Sequence, residues 1–162
     1  MTVAYIGLGA NLSQPQQKIR QALDEIKNHR DLQLLTCSSL YQSAPMGLAD
    51  QPNYINAVAK LSTTLSPHSL LDTLLNIETT LGRTRDGTRW GPRVIDIDLL
   101  YYGDHIINEN KLTLPHPEIN NRNFVLYPLA EIEPDFVFPD GQLLSKLLDK
   151  APPNELERIA SV

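Results

Sequence analysis

The segment Val94 to Tyr102, VIDIDLLYY, leaves this chain the fewest folding options. Apolar residues alternate with aspartates, so Ile95, Ile97 and Leu99 share one side of an extended strand and Asp96 and Asp98 share the other. The apolar side has to be covered and so faces the core. The two carboxylates emerge together, about 6.6 Å apart along the strand. Like charges that close repel unless something neutralises them.

The elements around this strand suggest how it is covered. Val3 to Leu8 reads as a first strand ending in a turn at Gly9-Ala10-Asn11. Ile19, Ala22, Leu23 and Ile26 recur at helical spacing after Pro15, with Ser13 placed to cap that helix. Leu32 to Tyr41 is a second strand, with Leu35, Cys37 and Tyr41 on one face and Leu34 and Leu40 on the other. Tyr54 to Leu65 is a third, its core face formed by Ile55, Ala57, Ala59 and Leu61. Ser66-Pro67 starts a second helix carrying Leu70, Leu71, Leu74, Ile77, Glu78 and Leu81, and Gly82 stops it. Past Tyr102 the sequence suggests a hairpin to His105–Asn108 across Gly103-Asp104. Leu112 to Pro117 reads as a loop, Asn123 to Ile132 as a helix despite Pro128, and Gly141 to Lys150 as a short amphipathic helix. The order strand, helix, strand, strand, helix, strand predicts an α+β, ferredoxin-like two-layer sandwich, with helices on one face of an antiparallel sheet.

Size and charge set further bounds. The 162 residues suffice for one sizeable core, so residues 1–162 read as a single domain, with no assignment for the Pro- and Glu-rich tail after Asp149. The formal net charge of −5 and pI near 5.3 argue against a nucleic-acid coat or an anionic-membrane binder. Cys37 is the single cysteine, which excludes an internal disulfide. No signal-like N-terminus or membrane-length apolar run is present, so the expectation is a soluble, cytoplasmic protein without a membrane partner. The composition permits a monomer.

The charge is unevenly placed. Arg83, Arg85, Arg89 and Arg93 stand just before the strand with only Asp86 among them, so that stretch carries +3 against −8 for the rest. Guanidinium groups match phosphate oxygens. Paired carboxylates suit a hard divalent cation such as Mg2+, whose remaining ligands are commonly substrate phosphates. Each feature alone fits a solvated surface; together they point to metal-bound polyphosphate. Tyr54 and Asn56 share a strand face and could stack on and hydrogen-bond a flat heterocycle, though a surface Tyr beside an incidental Asn is as common. Gly7-x-Gly9 lacks the rest of a dinucleotide fingerprint, and no P-loop is present. His29 and His68 fall at helix ends and read as surface residues. His116 is a ligand contact or a loop residue.

RWGPRVIDIDLL, Arg89 to Leu100, resembles the signature of the 6-hydroxymethyl-7,8-dihydropterin pyrophosphokinase family. AYIGLGANL, QPNYINAV, LPHP, NRNFVLYPLAEIEPD and VFPDG match in order, from Val3 to about Leu148. The resemblance implies pyrophosphate transfer from ATP to the pterin hydroxymethyl oxygen, with release of AMP, in folate biosynthesis. It implies that Asp96 and Asp98 hold two Mg2+ ions and that Arg83 and Arg93 contact the transferred phosphates. Arg85, Arg89 and Trp90 would lie on a closing loop, with Trp90 also sealing the pterin pocket. Leu71, Glu78, Leu99, Lys111, Thr113, His116 and Arg122 would border the nucleotide. Tyr54 and Phe124 would sandwich the pterin, while Asn56, Asp96 and the loop of Ser43, Ala44, Pro45, Met46 and Gly47 read its polar edge. Ser43-Ala44, Lys111 and Pro117 depart from that pattern, which more often has Thr-Pro, Arg and an aromatic residue. The other readings are a non-catalytic ferredoxin-like binding module and a different Asp-pair metal-dependent phosphoryl or nucleotidyl transferase.

Overall fold

The computed structural model describes residues 1–12, 14–43, 53–82, 94–152 and 156–162. Strand β1 (Thr2–Ala10) lies between β4 (Tyr54–Thr63) and β5 (Asp96–Tyr102). The far side of β4 pairs with β2 (Leu32–Cys37) and β3 (Leu40–Ser43), and β8 (Glu157–Ala160) continues the sheet beyond β3. All these pairings are antiparallel. Helices α1 (Pro15–Asn28) and α2 (Pro67–Thr80) cover one face, giving the expected α+β, ferredoxin-like element order. A small separate ladder joins β6 (Ile107–Asn108) to β7 (Thr113–Leu114).

The main core lies under α1 and α2. Ile19, Ala22, Leu23 and Ile26 of α1 and Leu70, Leu74 and Ile77 of α2 meet Ala4, Ile6, Leu8, Ala57, Ala59 and Leu61 of the sheet. Each fully buried Leu or Ile contributes about 1.5–3 kcal/mol. The opposite face is covered too, which corrects the expectation of helices on one side only. Val58, Tyr5, Leu100 and Tyr101 are buried there beneath Val125, Leu126 and Leu129 of α3 (Asn123–Ile132) and Leu144 of α4 (Leu144–Lys150). The polar neighbours of Val58 on β4 disguised this second core. Tyr5, Tyr101 and Phe136 close it, with ring centroids 4.8–6.1 Å apart.

Local departures have local causes. The second strand divides into β2 and β3 at Ser38-Ser39, where the buried Ser38 hydroxyl accepts from the Val58 N–H at 2.9 Å. The register shifts between Leu34 and Thr36, so Leu35 is exposed while Leu34 and Cys37 turn to the same core. The hairpin expected across Gly103 fails. Gly103 turns the chain at φ 52°, but Ile107–Asn108 then pairs with Thr113–Leu114 and not with β5. The first strand continues through Gly9 and Ala10, which the sequence suggested as a turn. The final helix starts at Leu144, not Gly141, whose φ of 91° belongs to the preceding turn. The tail, unassigned from sequence, supplies β8. Ser13 lies outside the described residues; Gln14 precedes α1 with φ 62°. No helix among the described residues is long and apolar enough to cross a membrane.

Two carboxylates fasten the end of α3 to the sheet. Glu131 accepts from the Ser39 N–H, from the Ser39 hydroxyl at 2.9 Å and from Tyr41 at 2.7 Å, with Arg158 at 4.0 Å. Burial pushes its pKa up, but these donors and the Arg158 charge outweigh that and hold it below the usual range. Tyr41 responds in the opposite sense, pushed up to about 12 by its own burial and by Glu131. Glu133 accepts from Lys60 and from Tyr5, and the Lys60 hydrogen bond is the chief reason its pKa is also lowered.

Both carboxylates therefore stabilise the fold above their unfolded pKa, near 4.3, and lose that contribution as pH falls through the lower folded values. Glu131→Gln should lower stability by about 1–2 kcal/mol at pH 7 and flatten the acid limb, measured as urea midpoints at pH 7 and pH 3. Ser66 caps α2 by accepting from the Ser69 N–H at 3.2 Å. Ser66→Ala should cost about 1 kcal/mol in the same urea titration.

Candidate active site

The sheet face shared by Asn56, Val58 and the β5 carboxylates has two halves. Its lower half is the second core. Its upper half carries the residues expected to do chemistry. The strand register sets Asp96 of β5 beside Gly9 of β1, and Gly9 beside Asn56 of β4. Asn56 in turn pairs with Tyr41 of β3. One step down, Asp98 lies beside Gly7 and Gly7 beside Val58. Carboxylates and amide thus lie on one surface, two strand spacings or about 10 Å apart.

Asn56 is 4% exposed, and its amide nitrogen donates to the Ser43 hydroxyl at 2.8 Å. That bond fixes which way the amide presents its polar edge. Tyr54 starts the same strand, two residues before Asn56, so it shares that face. Phe124 stands in the first turn of α3, a helix that packs on β4 and β3.

At the other end, Arg122 is the hub. One guanidinium nitrogen lies 3.5 Å from Asp98 Oδ2, another donates to Glu118, and the guanidinium carbon stands 5.6 Å from the Phe124 ring centroid. A 3₁₀ turn, Ile119–Asn121, creates the i, i+4 spacing that brings Glu118 to Arg122. The Glu118 backbone N–H donates to Nδ1 of His116 at 3.3 Å, and the His116 N–H donates to the Leu100 carbonyl at 3.0 Å. Burial lowers the His116 pKa against the pull of Asp98, with Arg122 lowering it further. The ring is therefore neutral at pH 7, with Nδ1 as acceptor and Nε2 as the protonated nitrogen.

Other expected residues lie on the α2 side of β5. Leu99 is 4% exposed in the main core and Leu71 packs partly against it. Glu78 is 2% exposed and accepts from the Ile97 N–H at 2.6 Å, so this carboxylate pins the strand midway between Asp96 and Asp98. Thr113 sits in β7 and Lys111 in the turn before it, exposed. Ala44, Pro45, Met46, Gly47, Arg83, Arg85, Arg89, Trp90 and Arg93 fall outside the described residues. Glu118 was missed from sequence, although its four-residue spacing from Arg122 was a readable signal.

The donor set suits a substrate-borne metal. Among the described residues no three His, Cys, Asp or Glu side chains cluster to hold an ion. Two partly exposed carboxylates on one strand face match Mg2+, which commonly takes one or two carboxylates and completes its shell with phosphates and water.

Comparisons with known proteins identify the family. The profile of the family described as 7,8-dihydro-6-hydroxymethylpterin-pyrophosphokinase (HPPK) matches residues 5–134. The 2-amino-4-hydroxy-6-hydroxymethyldihydropteridine pyrophosphokinase of Haemophilus influenzae is 47% identical over 148 residues, covering 91% of this chain and 92% of that protein. The protein of that name in Pseudomonas aeruginosa is 44% identical over 155 residues, covering 96% and 95%. The crystal structure of Plasmodium falciparum HPPK-DHPS with pteroate superposes with a TM-score of 0.73 at 15% identity. It covers 92% of this chain, which spans only 42% of that longer chain, and this likeness concerns the fold. Sequence and architecture converge: the chain belongs to the 7,8-dihydro-6-hydroxymethylpterin-pyrophosphokinase family and is an enzyme that transfers pyrophosphate from ATP to hydroxymethyldihydropterin in folate biosynthesis.

Proposed function

We propose that the upper half of this sheet face is where that transfer takes place. The observation that carries the reading is the shared surface that presents Asp96, Asp98 and Asn56 together, with Arg122 against Asp98. In this reading the pterin lies between Tyr54 and Phe124. Asn56 reads its polar edge with Asp96 and the loop of Ser43, Ala44, Pro45, Met46 and Gly47, and Trp90 closes over it. Asp96 and Asp98 would hold two Mg2+ ions, which would supply charge neutralisation across the polyphosphate.

The pterin hydroxymethyl oxygen forms a bond to the β-phosphorus and loses its proton. The bond from that phosphorus to the α–β bridging oxygen breaks, and AMP leaves with the oxygen. The chain contributes positioning and electrostatics, not a covalent intermediate. Arg83 and Arg93 neutralise charge on the transferred group, and Arg85 and Arg89 accompany them on the same segment. Arg122, steadied by Glu118, balances the Asp98 carboxylate. His116, Lys111 and Thr113 border the nucleotide, with Leu71 and Glu78 beside them. Leu99 contributes through its backbone at the open edge of β5, because its side chain is in the core. Residues 1–162 act as one pyrophosphokinase domain, a cytoplasmic monomer.

Incubation with MgATP and 6-hydroxymethyl-7,8-dihydropterin, resolved by chromatography, should give AMP and the pterin diphosphate. ADP as product would indicate an ordinary kinase, and no nucleotide product a binding module. Asp98→Ala should lower kcat by at least about a hundredfold to a thousandfold while its circular-dichroism melting curve stays native. Near-native turnover in that variant would remove the metal assignment.

A further inference from the structure

The two carboxylates at the end of α3 hold different parts of the sheet. Glu133 bonds Lys60 of β4 and Tyr5 of β1. Glu131 instead bonds β3 and the residue just before it. It accepts from the Ser39 N–H at 3.0 Å, the Ser39 hydroxyl at 2.9 Å and the Tyr41 hydroxyl at 2.7 Å. Strand β4 is already fixed by β1, β2 and β3. Strand β3 is not. It has four residues, three of them in register with β4, and its other neighbour β8 is equally short, with a register shift between Leu40 and Tyr41.

What β3 carries makes its position matter. Tyr41 is in register with Asn56, and the Ser43 hydroxyl at the end of the strand accepts from the Asn56 amide at 2.8 Å. A displaced β3 would drag that amide with it. The helix side of the clamp leads to the same place. Phe124 and Glu131 form an i, i+7 pair, about two turns of α3, so they lie on one helix face about 10 Å apart along its axis. Phe124 packs partly against the second core, and Glu131 is the point at which the same face is tied to β3.

We propose that Glu131 is a positioning residue for the pterin. By clamping α3 to β3 it sets the gap between the Phe124 ring and the strands that carry Tyr54 and Asn56. A flat ligand between two rings is sensitive to that gap, because an opening of about 0.5–1 Å forfeits a quarter to a half of the dispersion contact. Glu131 acts only through Ser39, Tyr41 and its own helix. The proposal rests on the pterin placement given above.

The experiment compares Glu131→Ala, Glu131→Gln, Tyr41→Phe and Glu133→Ala with the parent enzyme, well below their melting midpoints. It reads kcat, the KM for 6-hydroxymethyl-7,8-dihydropterin and the affinity for Mg2+ with α,β-methylene-ATP, whose carbon bridge blocks transfer. Glu131→Ala should lower kcat/KM for the pterin about tenfold to a hundredfold, the cost of a wall misplaced by about 1 Å. Most of that loss should fall in KM, with nucleotide-analogue affinity unchanged. Glu131→Gln, whose amide oxygen still accepts from Ser39 or Tyr41, should recover part of it, and Tyr41→Phe should show a smaller loss of the same kind. Glu133→Ala should lower the melting midpoint yet leave the pterin KM alone. An unchanged pterin KM in folded Glu131→Ala would overturn the clamp. So would an equal loss of nucleotide affinity, or a Glu133→Ala enzyme with the same rise in pterin KM, since either means general loosening. If Glu131→Ala does not fold, an unchanged pterin KM in Tyr41→Phe overturns it instead. Phe124→Ala and Asn56→Ala test the placement beneath it. If neither raises the pterin KM, the placement fails and the clamp with it; if both do and Glu131→Ala does not, the clamp alone fails.

Discussion

The pairing of β1 with both β4 and β5 is the constraint from which the rest of the site is measured. Nine residues of β1 are in register with β4, and six of them with β5. Because side chains alternate, a slip of one residue on either side would carry Asp96 and Asp98, or Asn56, through the sheet to the opposite face. The slip is opposed by Ile6, Leu8, Ala57, Ala59, Ile97 and Leu99, which would have to leave the core together. Apolar burial on one face therefore fixes the position of polar groups on the other. The register shift between Tyr5 and Ile6, opposite Leu100, adds a second effect. It turns Tyr101 into the second core while Tyr102 returns to the first.

The acidic residues divide into two physical types. Glu78, Glu131 and Glu133 are held by donors of the chain itself: the Ile97 N–H, the Ser39 and Tyr41 groups, and Lys60 with Tyr5. Those bonds position helices on the sheet. Asp98 has a 40% exposed side chain and shares Arg122 with Glu118. These acidic residues thus divide into those that fasten the fold internally and one, Asp98, left partly exposed on the sheet face.

Much of this was legible in the sequence for a physical reason. The alternation in VIDIDLLYY assigned both faces of β5, and Ser66-Pro67 with Gly82 marked both ends of α2. What escaped depends on distant partners. The second core was hidden because Val58 stands alone among Tyr54, Asn56 and Lys60, and becomes core only once α3 lies over it. The bulge that exposes Leu35 arises where β2 pairs with β4, so no local pattern encodes it. Gly9 reads as punctuation in a linear sequence, but between two neighbours it is strand. Glu118 needed the Ile119–Asn121 turn before its spacing from Arg122 acquired meaning. Several expected site residues, including the four arginines before β5 and Trp90, fall outside the described residues.

The sheet also carries an answer to a hazard of its own architecture. An open sheet ends in strands with unpaired N–H and C=O groups, which invite another molecule to add on. Here β8 joins the exposed side of β3, and the new border is four residues long with Glu157 and Arg158 upon it. At the other border, Glu78 occupies the Ile97 N–H and His116 the Leu100 carbonyl. Both margins, among the described residues, are thus poor templates for a neighbouring strand.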